Sequence, residues 1–210
     1  MVNERKVILA SGSPRRRELL GGLTPNFLVI VSDVDETPEL GEAPHTLAAR
    51  LATLKAMTVA KAHPEAIVIG ADTVVTFREG NGYRLLNKPA DAAEACAMLA
   101  SLSDRTHEVV TGVCVCSPIG PETFYESTQV TFRALSEAEI ADYVATGEPM
   151  DKAGSYAIQG GAAGFVEKVE GSLSNVIGLP MERLRNVLSG HRQVLAGQHK
   201  GRTPIRRPAF

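Results

Sequence analysis

The segment Ser11-Gly12-Ser13-Pro14-Arg15-Arg16-Arg17 puts small hydroxyl side chains and a glycine between a short apolar run, Val7 to Ala10, and a helix start. The unpaired backbone N–H groups at such a start form an anion site. Three arginines in a first helical turn oppose the helix dipole, at roughly a few tenths of a kcal/mol each, unless an anion sits beside them. Lys55 falls four residues after Leu51 and four before Val59, on the helix row that otherwise faces the core, so its ammonium is directed along a buried face. Asp72 stands where the apolar stretch Ala66 to Ala71 ends, at the sheet edge where α/β proteins collect ligands. Asp33, Asp35 and Glu36 offer the hard oxygen ligands that a divalent cation prefers. Lys88 in Asn87-Lys88-Pro89 is held just before a helix, and Gln159, within the glycine-rich stretch from Gly147 to Gly161, offers both an acceptor and donors to a base edge. Each has an ordinary alternative: a solvated basic turn, a snorkelling lysine, a turn-capping aspartate, a solvated acidic loop, a surface lysine, a plain turn.

The elements that must position these groups follow from periodicity and punctuation. Val7 to Ala10 reads as a buried strand, Ser13-Pro14 as cap and first residue of a helix to Leu20, and Phe27 to Val31 as a second strand. Leu47, Leu51, Leu54 and Thr58 keep helical spacing from His45 to Ala62, where Pro64 stops it. Ala66 to Ala71 and Val74 to Phe77 are strand-like, with a hairpin turn at Glu79 to Gly82. Asp91 caps a helix to Leu102, Thr106 to Phe132 is a long hairpin, and Ser136 with Glu139 opens a helix ending by Gly147. A strand from Phe165 to Val169 and a final helix from Pro180 to Leu188 complete the expectation. Short strands and helices in this mixture predict a mixed-sheet α/β protein.

Composition limits what such a chain can do. It has 210 residues, 44% hydrophobic and 22% charged, enough for a sizeable core in one domain or in two lobes sharing one. Its net charge of −2 argues against a nucleic-acid polymer as partner, so any anion site is local. Five of the 22 basic residues (Arg192, Lys200, Arg202, Arg206 and Arg207) and none of the acidic ones fall in residues 190–210, read as a basic, flexible C-terminal tail after a domain spanning 1–189. Cys96, Cys114 and Cys116 are too few for a disulfide framework and read as reduced core thiols. With no apolar run near ~18 residues and no signal-peptide pattern, neither a membrane partner nor export is expected, and the compartment expected is the cytoplasm.

In this order, the motifs resemble the Maf family of nucleoside triphosphate pyrophosphatases. They are Leu9-Ala10-Ser11-Gly12-Ser13-Pro14-Arg15-Arg16, Asp35-Glu36, Arg50-Leu51 with Lys55-Ala56, Gly70-Ala71-Asp72-Thr73-Val74-Val75, Asn87-Lys88-Pro89, Asp151-Lys152-Ala153-Gly154, Ile158-Gln159-Gly160 and Gly178-Leu179-Pro180. The match runs from about Val7 to Leu188. It implies an elongated mixed sheet flanked by helices, two lobes with a central cleft (Maf/Ham1-like, ITPase-like), and a cytoplasmic enzyme, often a homodimer, that needs Mg²⁺ or Mn²⁺. The implied reaction converts a nucleoside triphosphate into the monophosphate and pyrophosphate. Asp72 matches the proton acceptor, and Arg15, Thr73 and Gln159 match positions tied to substrate choice, with the identities of the dTTP/UTP branch. The alternatives are the 7-methyl-GTP branch of the same family and a non-catalytic nucleotide-binding regulator of septation. Ser155, Ala157 and Leu173 depart mildly from the family pattern. On this resemblance Glu36 and Asp72 are expected to hold the metal, Asp72, Lys55 and Glu36 to form the catalytic group, and Arg16, Lys88 and the Ser11 to Ser13 loop to clamp the triphosphate.

Overall fold

The computed structural model describes residues 5–200. Among them one seven-stranded mixed sheet carries helices on both faces. Strand β1 (Val7–Leu9) leads through a short loop into α1 (Pro14–Gly21), which Ser13 caps through its side chain with proline at the first position, as its residue types require. Next come β2 (Phe27–Val29), a long loop, and the 19-residue helix α2 (Pro44–Ala62). Strands β3 (Ile67–Glu79) and β4 (Gly82–Leu86) form a hairpin; α3 (Ala92–Leu102) begins at its Asp91 cap. The long hairpin β5 (Thr106–Ser117) and β6 (Gly120–Phe132) is followed by α4 (Glu137–Ala145), whose Ser136 and Glu139 form a full capping box. Three short 3₁₀ turns lead to β7 (Val166–Glu170), a brief α5 (Leu173–Ile177) and α6 (Met181–Lys200).

Strand order is β2-β1-β3-β5-β6-β7, with β4 also on β3. Both β1 and β4 pair with the same edge of β3: β1 runs parallel to Ile67–Ile69 and β4 antiparallel to Val75–Glu79. Between them, Gly70 to Val74 has no strand neighbour on that edge. That gap is where the loops after β1 and β4 diverge, and the cleft opens there.

The 13 residues of β3 span roughly 40 Å and join two cores on one sheet face. Ile67, Ile69 and Ala71 pack with Leu20, Leu184 and Leu188 under α1 and α6, whereas Val75 and Phe77 pack with Leu99, Phe132 and Ile140 under α3 and α4. These are the two lobes. On the opposite face α2 crosses β3 and β5 at very close range. A Cβ at Gly70 would come within 2.3 Å of the Ala52 carbonyl oxygen, and one at Gly112 within 2.2 Å of the Ala48 carbonyl oxygen. Glycine at both positions and alanine on the helix let the two backbones touch.

Two expectations are corrected. The sequence places Asp72 at the end of a strand, but β3 continues through it to Glu79, because Lys55 meets the carboxylate and removes its cost within the sheet. The last helix does not stop at Leu188 or give way to a flexible tail at residue 190. It runs to Lys200, with His191 and Leu195 buried on the same face as Leu184 and Leu188. The remaining expected tail, 201–210, lies outside the described residues. No helix among the described residues is long and apolar enough to cross a membrane.

Candidate active site

The loop after β1 is built by its own small side chains. Ser13 N–H donates to Ser11 Oγ at 3.3 Å, while Ser13 Oγ accepts from Arg16 N–H at 3.4 Å. Arg16 then turns back across the β3 edge. Its Nε donates to Gly178 O at 2.8 Å, Nη1 to Ser11 Oγ at 3.1 Å and to Ala71 O at 2.9 Å, and Nη2 to Thr73 Oγ1 at 2.9 Å. Burial lowers its pKa from the ordinary value, with Asp72 opposing that shift. Arg16 is thus a brace joining three segments around the gap. Arg16 also lines the cleft, and these four bonds leave one of its five N–H donors uncommitted.

On the α2 face of the sheet, the close contact over Gly70 and Gly112 carries Lys55 to Asp72. Lys55 Nζ lies 2.7 Å from Asp72 Oδ1 and 2.8 Å from Glu36 Oε1. Lys55 and Asp72 are both 8% exposed, whereas Glu36 is open to solvent. Among the described residues Asp72 Oδ2 accepts no hydrogen bond from protein. One ammonium therefore orients two carboxylates at the rim of the gap. Of the acidic run only Glu36 reaches the cleft; Asp33 and Asp35 are exposed, and Asp35 accepts from Thr37 N–H at 2.9 Å, a local turn whose hydrogen bonds lower the Asp35 pKa.

The cleft wraps around the free β3 edge and encloses about 640 Å³, within the usual range for a small-molecule site. Ser11, Ser13, Arg15 and Thr73 line one side, and Lys88 and Lys152 the other. Arg15 and Lys88 make no hydrogen bond or ion pair among the described residues, so their charges are available to a ligand. Lys152 is the cation that sequence reasoning missed. Its Nζ is held by Glu148 O at 2.6 Å and Asp151 Oδ1 at 2.5 Å. The available signal was its place before Gly154, whose φ of +70° and near contact with Val75, 2.8 Å from a notional Cβ, bring this segment against β3. Gln159, by contrast, is exposed and does not line the cleft, although its neighbour Ile158 does.

Among the described residues no three His, Cys, Asp or Glu side chains converge as a metal cage. Two carboxylates on one side of an open cleft instead fit the way Mg²⁺ is held together with substrate phosphates and water.

A family model described as Maf-like protein matches residues 6–191. The dTTP/UTP pyrophosphatase of Bacillus cytotoxicus is 52% identical over 180 residues, covering 86% of this chain and 92% of that protein. The dTTP/UTP pyrophosphatase of Deinococcus radiodurans is 51% identical over 185 residues, covering 88% and 92%. A solved structure, the Ham1 protein of Staphylococcus aureus, superposes with a TM-score of 0.51 at 17% identity over 89% of this chain and 100% of that one, which shows a shared fold.

Proposed function

The chain belongs to the Maf-like protein family, and from that premise we propose that it hydrolyses dTTP and UTP to the monophosphate and pyrophosphate. The observation that carries the reading is Asp72, buried and fixed by Lys55, at the edge of a cleft whose Arg15 and Lys88 have no ion-pair partner among the described residues. Arg15 and Lys88 supply the local positive charge that a triphosphate needs on a chain of net charge −2, with Lys152 beside them paired to Asp151. In this reading a water held by Asp72 Oδ2 attacks the α-phosphorus, its proton passes to the carboxylate, and the bond from the α-phosphorus to the bridging oxygen breaks, so that pyrophosphate leaves. Lys55 keeps the carboxylate in one orientation through the step, which lowers the entropy cost of alignment. Glu36 and Asp72 are the residues that would hold Mg²⁺ or Mn²⁺, and such an ion neutralises phosphate charge and acidifies water when bound. The Ser11 to Ser13 loop would offer hydroxyl and backbone donors to phosphate, with Arg16 holding the loop in place. Thr73 and Gln159 remain, with Arg15, the positions assigned to nucleotide choice; Gln159 would have to act from the rim.

The test is pyrophosphate release from dTTP, UTP, CTP and 7-methyl-GTP with Mg²⁺, with and without chelator. The expected result is fastest turnover of dTTP and UTP and its loss in chelator. No release from any of the four would overturn the reading, a preference for 7-methyl-GTP would move the chain to the other branch, and full activity in chelator would remove the metal.

A further inference from the structure

On the sheet face opposite α2, the two apolar cores are divided by one polar seam. Ala71 and Val113 belong to one core, Val75 and Val109 to the other, and the cross-strand pair between them is Thr73 and Thr111. Thr111 is fully buried and does not line the cleft. The seam is a chain of hydrogen bonds: Arg16 Nη2 to Thr73 Oγ1 at 2.9 Å, Thr73 Oγ1 to Thr111 Oγ1 at 3.0 Å, and Thr111 Oγ1 to the Asn175 carbonyl oxygen at 2.9 Å. Its far end is anchored, because Asn175 Nδ2 donates to Val109 O and to Thr128 Oγ1, both at 2.9 Å.

The order of protons along this chain is determined by its ends. A guanidinium can only donate and a carbonyl can only accept, while each hydroxyl carries one proton. The Thr111 proton therefore goes to Asn175 O, which obliges Thr111 to accept from Thr73. The Thr73 proton points inward, and its lone pair faces Arg16. All three bonds run in one direction, so each polarises the next.

Resting on the pyrophosphatase reading, we propose that Thr111 is a positioning residue for the reaction. By taking the Thr73 proton it presents the Thr73 lone pair to Arg16, and Arg16 thereby stays bound to Ser11 and Ala71 beside Asp72. Without the Thr111 hydroxyl, the Thr73 O–H loses its inward acceptor and is free to rotate toward the cleft that Thr73 lines, so its lone pair is no longer held toward the guanidinium. The Arg16 bond to Thr73 then has no fixed geometry, and the triphosphate loop loosens with it.

The experiment is a double-mutant cycle in the full chain, read as kcat and KM for dTTP at 25 °C in samples shown to be folded by circular dichroism. Thr111→Val and Thr73→Val are each expected to lower kcat/KM about tenfold, the scale of one hydrogen bond to a charged group. The double variant is expected to be no worse than the poorer single one, and Thr111→Ser to restore most of the rate lost in Thr111→Val. A Thr111→Val enzyme with wild-type kcat/KM, or losses that multiply in the double variant, would overturn the relay. Should Thr111→Val not fold, Thr111→Ala takes its place, since it also lacks the hydroxyl, and a wild-type kcat/KM there has the same meaning. If the wild-type chain releases no pyrophosphate from any nucleotide, the functional reading itself fails and takes the relay with it. Turnover by the wild type with multiplying losses removes the relay alone.

Discussion

Asp72 holds a charge in the middle of a buried strand, which is tolerable only because Lys55 lies 2.7 Å away. Asp72→Asn keeps the shape and removes the proton acceptor, so kcat is expected to fall by on the order of a hundredfold or more. Glu36 still pairs Lys55 at 2.8 Å, so the variant should remain folded, which a thermal melt checks. A near wild-type rate would take Asp72 out of the chemistry. The inward direction of Lys55 was readable from its helix row, but its partner was not, since 17 residues separate the two in sequence. The same holds for Arg16. Its type and its place beside Arg15 and Arg17 point to a phosphate ligand, and the bracing bonds to Gly178, Ala71 and Thr73 that it also makes at the cleft were not readable from sequence.

At the scale of elements, the site depends on how closely α2 lies on β3 and β5. Gly112→Ala would place a Cβ 2.2 Å from the Ala48 carbonyl oxygen, a backbone atom that can yield only if the helix moves. Such overpacking is expected to lower stability by about 3 kcal/mol, a fall in Tm of roughly 6–12 °C, and to cut activity by shifting Lys55 away from Asp72. Gly164→Ala, with no heavy atom within 4 Å of its notional Cβ, is the control, expected to melt near the wild type; equal Tm values for the two variants would contradict the close-contact account. The helix starts were legible because caps are local: Ser13, Asp91 and Ser136 each accept from a backbone N–H three residues on. The end of α6 was not, because the basic, acid-free run from residue 190 reads as a tail until the burial of His191 and Leu195 is seen.

For the whole molecule, stability depends on a histidine within the core of the second lobe. His107 is 1% exposed, packs edge-on against Phe132 and Tyr156, and shares a 2.8 Å hydrogen bond with the Tyr156 hydroxyl. Burial lowers its pKa to about 4. The unfolded chain takes up this proton as pH falls through the ordinary value of about 6.5, while the folded chain refuses it until about 4. Stability is therefore lost across that window, by about 3 kcal/mol in total from this group, and is unaffected by it above pH 7. Urea unfolding at pH 7 and pH 4 should show this loss in the wild type and a correspondingly smaller one in His107→Leu; the same pH dependence in both would refute it. Local chemistry in the sequence determined the mixed α/β class, the capped helices, the core-facing lysine and the motif order that marks the family. These follow from periodicity and from groups a few residues apart. Tertiary structure alone decided that Asp72 lies within a strand, that Glu36 joins it on one ammonium, that Gly70 and Gly112 seat α2, and that Thr73 and Thr111 divide two cores. Each of those depends on which strand lies beside which and how closely a helix crosses them, a matter of long-range register that no local pattern encodes.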